Sequence, residues 1–432
     1  MESAELIIKN AAELLTCARD AEDLIGVIRG GWVAVRGGKI IAVGGEREVA
    51  PFASPSTKII DATGRVVAPG FVDSHTHVVF GGSRVEEYFA KIERLSQDEI
   101  ERRGIKTGIL TTLEPTREYS LETLYEESAE RVREMIASGT TTVESKSGYG
   151  LDRDTELKQL EVNRLLEKRL PISVVSTFLG GHGWPKDVGK ERYMDFLIKE
   201  MIPLVGSSEL AEFCDAWCDE GYYTASDCRA ILEAGLEAGM RPKLHEGGYS
   251  YIGGAEVAAE LKAVSADHLN YDPPLSLRRL AEAGTVGTPL PGIDFAVGHA
   301  KPFDPVPMIE EGLELSIATN CCPGCWCTSM PFIIILACRN HGMTSERAIR
   351  AATIGGALAL AREDKIGSIE PGKDADIQIW NLNRHEDIAY HYKANPVAMV
   401  IKGGEISVDN SGFQGAAPLG EVWGGAPRSD FL

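Results

Sequence analysis

The chain has 432 residues, 44% hydrophobic and 25% charged, enough for one large domain with a core and a smaller one beside it. Lys and Arg number 44 against 64 Asp and Glu, and the net charge of −20 disfavours nucleic acid and anionic membrane as partners. Mean hydropathy is −0.10, no apolar run approaches the roughly 18 residues of a membrane span, and MESAELIIKNAAELL lacks the basic and apolar regions of a secretory leader.

Residues 1–63 read as short strands with Gly-bounded turns: ELIIKN, GWVAVRGG, KIIAVGG. They are assigned to the first part of a β-domain. VVAPGFVDSHTHVVF follows, an apolar strand pattern interrupted by Pro-Gly. From about residue 120 helical stretches alternate with compact β-branched runs. LETLYEESAERVREMIASG precedes TTTVESK, LKQLEVNRLLEKRL precedes PISVVSTFLGG, and SDCRAILEAGLEAGM precedes RPKLHEGG. This alternation predicts a parallel sheet with helices outside it. A closed (β/α)8 TIM-like barrel over residues 64–362 suits the number of units. Strands return in IGSIEPGKDADIQIWN and NPVAMVIKGGEIS, so 363–410 is assigned to the second part of the β-domain, a small composite β-sandwich built from both chain ends. Residues 411–432, rich in Gly, Pro and Ala, are expected to be an extended tail.

His75 and His77 stand at i and i+2 at a strand end, on one face. His182, His245 and His268 end later strand patterns, and Asn320 ends LSIATN. Barrels carry their chemistry at the C-terminal ends of strands. One such histidine is usually structural. Five at strand ends point to a single metal-centred pocket. Neutral imidazoles suit zinc or iron, and metal-bound water is nucleophilic near neutral pH. Nine cysteines, an odd number without a leader, read as reduced thiols of a cytoplasmic protein.

VAPGFVDSHTHVVFGGSR, TTVESKSGYGLDRDTELK, STFLGGHGWP, GGAEVAAELKAVSADHL and IGSIEPGKDADIQIW together resemble the imidazolonepropionase family of the amidohydrolase superfamily, over roughly residues 5–405. The resemblance implies the barrel, the composite β-domain and one divalent metal, zinc with iron as the alternative. It implies His75, His77 and His245 as metal ligands and His268 as the residue that helps activate water. Arg84, Tyr149 and His182 correspond to substrate-binding positions. The implied substrate is a small anionic ring, a five-membered heterocycle carrying a propionate. A homodimer is a candidate assembly.

The sequence also departs from that family. Where the family places T-D-x-N-P-G, with a metal-binding Asp, this chain has Thr319-Asn320-Cys321-Cys322-Pro323-Gly324. An amide can neither carry negative charge nor accept a proton as a base. Gly248 replaces an acidic residue three past the metal histidine, and a substrate tyrosine is aligned loosely with Gln97. Cys321 or Cys322 is expected to face the pocket, with Cys321 taken as a substrate contact beside Asn320 in the catalytic set. Cys325 and Cys327 read as buried apolar residues. The reading preferred at this level is altered chemistry: desulfurising hydrolysis of a thiohydantoin propionate, from the breakdown of a thiol-histidine betaine. The alternatives are ordinary ring opening of imidazolone propionate in histidine degradation and an inactive ligand-binding relative. A deaminase is disfavoured by Asn320.

Overall fold

In the computed structural model residues 3–392 and 395–410 are described, and the expected tail at 411–432 lies outside them. Leu6–Ala11 buries both faces, Leu6 and Ile8 in one apolar cluster and Ile7 in another. Leu6–Ala11 pairs antiparallel with Gly31–Arg36 and parallel with Lys58–Asp61, and Lys39–Gly44 extends the sheet to four strands. A second sheet orders six strands: Glu405–Asp409, Val397–Lys402, Ile377–Trp380, Val66–Pro69, Glu13–Leu15 and Val27–Ile28. Its centre joins the two halves of the β-domain, with Ile377 opposite Pro69 and Trp380 opposite Val66. Ile8, Val33 and Val35 share a buried cluster with Val67, Ile377, Ile379 and Ile401, the packing of a sandwich. This pairing moves one boundary. Val66–Pro69 falls within the span expected for the barrel, yet its partners are sandwich strands, so the β-domain's first part runs to Pro69.

The barrel strands are β1 (Phe71–Asp73), β2 (Thr140–Lys146), β3 (Ser173–Gly181), β4 (Phe213–Cys218), β5 (Leu244–Glu246), β6 (Ser265–His268) and β7 (Val286–Thr288). Each is parallel to the next. Residues 315–321 take the eighth place. Leu315 bridges Gly287, and at the other side the Asn320 N–H donates to His75 O (3.1 Å) and His77 N–H to Cys321 O (2.8 Å). The ring therefore closes on the segment that carries the two leading histidines.

Helix Leu121–Ala137 packs Leu124, Val132, Met135 and Ile136 against Val143 of β2 and Val162 of helix Arg153–Arg169. Burying each such side chain stabilises by about 1.5–3 kcal/mol. The helix N-termini are capped: Ser120 accepts from Thr123 N, Asp152 from Thr155 N, and Thr224 with Asp227 forms a capping box before Ala225–Glu237. Asp152 and Thr224 lie a few residues after β2 and β4, so these two loops are short and pinned at the face where strands end. Between β1 and Leu121 the chain adds helices Val85–Ile92, Gln97–Arg102 and Leu110–Glu118, which flank the barrel mouth. No helix among the described residues is long and apolar enough to cross a membrane.

Candidate active site and metal centre

After β1 the chain continues Ser74-His75-Thr76-His77, and all four residues are buried. The imidazoles converge with His245 from β5 and His268 from β6. Ring centroids lie 4.5 Å apart for His75 and His245, 5.5 Å for His77 and His245, and 5.3 Å for His245 and His268. His182, directly after β3, stacks on His77 at 5.1 Å. Ligand atoms of His75, His245 and His268 fall within 4.8 Å of one another, as do those of His77, His182 and His245. All five expected histidines therefore meet in one place.

Two carboxylates set the orientation of two rings. His75 Nδ1 lies 2.7 Å from Asp267 Oδ2, and His245 Nδ1 lies 2.9 Å from Asp215 Oδ2. Donation from Nδ1 leaves each Nε2 as the free lone pair, the usual arrangement of a metal-ligating histidine. Both Nε2 atoms are buried with no protein partner, as are His77 Nδ1 and Asn320 Oδ1. Orphaned buried polar atoms are costly, and their presence within two histidine groups that share His245 fits a cation. Burial pushes the pKa of His75 and His77 well below the ordinary value. It holds His182 and His268 near about 3. These rings are thus neutral, as ligation requires.

Beneath the histidines lies a buried charge network. Lys146, at the end of β2, has no exposed surface. Its Nζ sits 2.7 Å from Glu144, 2.9 Å from Asp215 and 3.5 Å from Asp267. Burial alone would lower the lysine pKa, but Asp215, Glu144 and Asp267 raise it, so the ammonium is retained. Desolvation opposes ionisation of Asp215 and Asp267 too. His245 and Lys146 overcome it for the first, and Lys243 and Lys146 for the second.

Asn320 and His268 both adopt positive φ, +48° and +86°. Positive φ is uncommon outside glycine, and Asn and His are among the side chains that enter it most readily. Asn320 is held from behind, because Thr319 donates from its N–H and hydroxyl to Asp73 (3.0 and 2.7 Å). Gly148, at φ +104°, lets its loop meet the histidine: a Cβ there would lie 2.9 Å from His182 Cβ. His182 Nδ1 lies 3.1 Å from Gly148 O, and Tyr149 stands edge-on to His182 at 5.1 Å.

These residues line a cavity of about 270 Å³ with Arg84, Tyr149, Trp217, Tyr249 and Cys322 on its wall. Arg84 is half engaged: its Nε and Nη2 each lie 2.7 Å from the Glu87 carboxylate. The expected fork toward substrate is therefore reduced to the guanidinium's other edge. Cys321 does not line the cavity. It packs at 0% exposure among Val78, Val79 and Leu124, because the backbone bond from His77 fixes its direction; Cys322 is the thiol on the cavity wall. Gln97 is exposed and donates to Glu101, on a helix whose outer face it occupies. The tyrosines at the cavity are Tyr88, Tyr149, Tyr222 and Tyr249. A Cβ on Gly248 would point between Asp219 Oδ2 (3.2 Å) and His268 Cγ (3.5 Å), so an acidic side chain there would confront Asp219.

Sequence reading did not single out Glu144, Lys146, Asp215, Asp267 or Glu87, nor Trp217 and Tyr222, whose rings stack at 3.6 Å on the cavity wall. The usable signal was charge inside otherwise apolar strands, TTTVESK and FCDAWC, where a carboxylate or ammonium requires a partner.

A parallel barrel with paired histidines after β1 and single histidines on β5 and β6 defines a metal-dependent hydrolase of the amidohydrolase superfamily. Models described as amidohydrolase family match residues 302–407 and 58–98. An imidazolonepropionase from Geobacillus kaustophilus (strain HTA426) is 40% identical over 419 residues, covering 94% of this chain and 98% of that one. One from Geobacillus thermodenitrificans (strain NG80-2) is 42% identical with the same coverage. The fold is shared with an adenosine deaminase from Xanthomonas campestris solved with bound zinc, at a TM-score of 0.70, 18% identity and coverage of 95% and 94%. The chain belongs to the imidazolonepropionase family.

Proposed function

We propose that this protein opens a five-membered imidazolone-type ring bearing a propionate by metal-assisted hydrolysis, the activity for which its relatives are named. One observation carries the reading. Unpartnered buried atoms on His75, His77 and His245 belong to two overlapping histidine groups, His75–His245–His268 and His77–His182–His245, beside a cavity lined by Arg84, Tyr149, His182 and Asn320. A divalent ion held there, zinc by preference for a nitrogen-rich donor set, supplies Lewis acidity toward water and the ring carbonyl. His268 is unprotonated at neutral pH and accepts the proton of the attacking water. The water oxygen bonds to the ring carbonyl carbon, the ring C–N bond breaks, and the departing nitrogen takes up a proton as a second carboxylate forms. The free edge of Arg84 holds the propionate, while Tyr149 and His182 contact the ring. Unpaired thiols at all nine cysteines suit this work to a reducing cytoplasm.

Asn320 favours a second reading. The resemblance implies an aspartate there, able to carry a proton to a leaving nitrogen; an amide cannot. A thiohydantoin propionate needs less help. Water adds to its thiocarbonyl carbon, the C–S bond breaks, hydrosulfide leaves, and the ring remains closed as a hydantoin. The test is incubation of zinc-loaded protein with imidazolone, hydantoin and thiohydantoin propionates, with products followed by mass. Ring opening of the imidazolone with little sulfide release is the expected result. Sulfide release from the thiohydantoin at the higher kcat/KM would replace the first reading by the second.

A further inference from the structure

We propose that Lys146 is the positioning residue of the metal centre: its one ammonium aligns all three metal histidines through three carboxylates. The inference rests on the metal-centre reading above and extends it to a residue that touches no ligand of the ion.

Asp267 and Asp215 each offer one oxygen, Oδ2, to both the lysine and a histidine, whereas Glu144 uses Oε1 for the lysine and Oε2 for the backbone. Asp267, 3.5 Å from Lys146 Nζ, bonds His75 Nδ1 at 2.7 Å. Asp215, 2.9 Å from Nζ, bonds His245 Nδ1 at 2.9 Å and also accepts the His245 backbone N–H at 3.0 Å. Glu144, 2.7 Å from Nζ, accepts the backbone N–H of Thr76 at 3.2 Å. Thr76 lies between His75 and His77, so Glu144 fixes the segment that carries both. The Thr76 hydroxyl donates back to Glu144 O. Strands β1, β2, β4, β5 and β6 thus meet at one nitrogen. Lys243, the other fully buried amine of this layer, donates to the carbonyls of Ser74 and Ala359 and adds its field at Asp267, but among the described residues the ion pairs to Glu144 and Asp215 are made by Lys146.

The physical role is preorganisation. Three carboxylates buried side by side repel one another unless a cation lies among them. Without the ammonium they would rotate apart or take up protons, and each change would turn an imidazole away from the ion. Partners of this kind typically set about 10–100-fold in metal affinity.

The experiment measures cobalt(II) binding to metal-free protein by competition with a chromogenic chelator, together with the visible absorption of the bound ion. Native protein and the variants Lys146→Met and Lys146→Met/Glu144→Gln are compared, with circular dichroism reporting the fold. The double variant removes one charge of each sign, so it keeps the charge balance if the single variant unfolds. The expected result is folded protein that binds cobalt about 10–100-fold more weakly, with a changed d–d spectrum in both variants. Native affinity and spectrum in a folded variant would overturn the role of Lys146 alone. Native protein that binds no cobalt would overturn the metal-centre reading, and this inference with it.

Discussion

At the scale of the residue, Asn320 is where the proposed ring opening is tested most directly. General acid–base assistance is typically worth about 10²–10⁴-fold. If ring opening is the native reaction, Asn320→Asp restores a proton carrier, and turnover of imidazolone propionate should rise while the thiohydantoin rate does not. Paired initial rates on both substrates check this; a variant that loses rate on the imidazolone refutes it. Arg84 offers a second test. Its Nε edge is already bound to Glu87, so Arg84→Lys loses both that brace and the planar edge turned to the cavity. A charged hydrogen bond of about 1.5–3 kcal/mol sets the expectation of roughly a tenfold to hundredfold fall in kcat/KM, with metal content unchanged by elemental analysis. An unaltered kcat/KM would remove Arg84 from substrate binding. The five converging histidines were legible in the sequence because each closes a short apolar run. Glu144, Asp215, Asp267 and Lys146 were not, because a buried charge has no periodicity of its own and its meaning lies in partners 2 to 192 positions away along the chain.

At the scale of the element, the barrel was legible from helix–strand alternation. The eighth strand place and the inserted helices were harder. Residues 315–321 hold their place through a bridge, the Asn320–His75 and His77–Cys321 bonds and the Thr319–Asp73 pair, rather than a regular ladder. The helices between Val85 and Glu118 have no strand of their own to announce them. Capping gives a local test. Asp152 accepts from Thr155 at its backbone N (2.8 Å) and its hydroxyl (3.1 Å), and it faces Arg117 at 2.8 Å. Asp152→Ala should cost about 1 kcal/mol, read as a shift in the urea midpoint without a change in m-value. Because the cap closes the loop that carries Tyr149, KM should rise as well. Stability and KM both equal to native would show that the cap is dispensable.

At the scale of the whole molecule, His385 ties three parts together. Its Nδ1 lies 2.9 Å from Glu13 on a sandwich strand, and its Nε2 lies 3.3 Å from Glu346 on the barrel helix Ser345–Ala351. Glu386, itself paired with Arg384, stands 3.6 Å from Nδ1. Burial lowers the histidine pKa, but Glu13, Glu346 and Glu386 together raise it above the ordinary value. A raised histidine contributes stability that is complete below the unfolded-state pKa of about 6.5 and disappears as pH climbs through the folded-state value. The thermal midpoint of metal-saturated protein should therefore fall from pH 6 to 8.5 more steeply in the native chain than in His385→Gln. Parallel slopes would show that this histidine is not a charged tie.

The six-stranded sheet also has a consequence in time. Val66–Pro69 is made early, but the strand that covers its second edge, Ile377–Trp380, is made about 300 residues later. At roughly 5–20 residues per second of synthesis, the open edge waits about 15–60 s on the ribosome. Unpaired strand edges template association with other chains. The nascent protein thus carries an adhesive seam for most of its synthesis, and the whole barrel must emerge before the chain's own later half can close it.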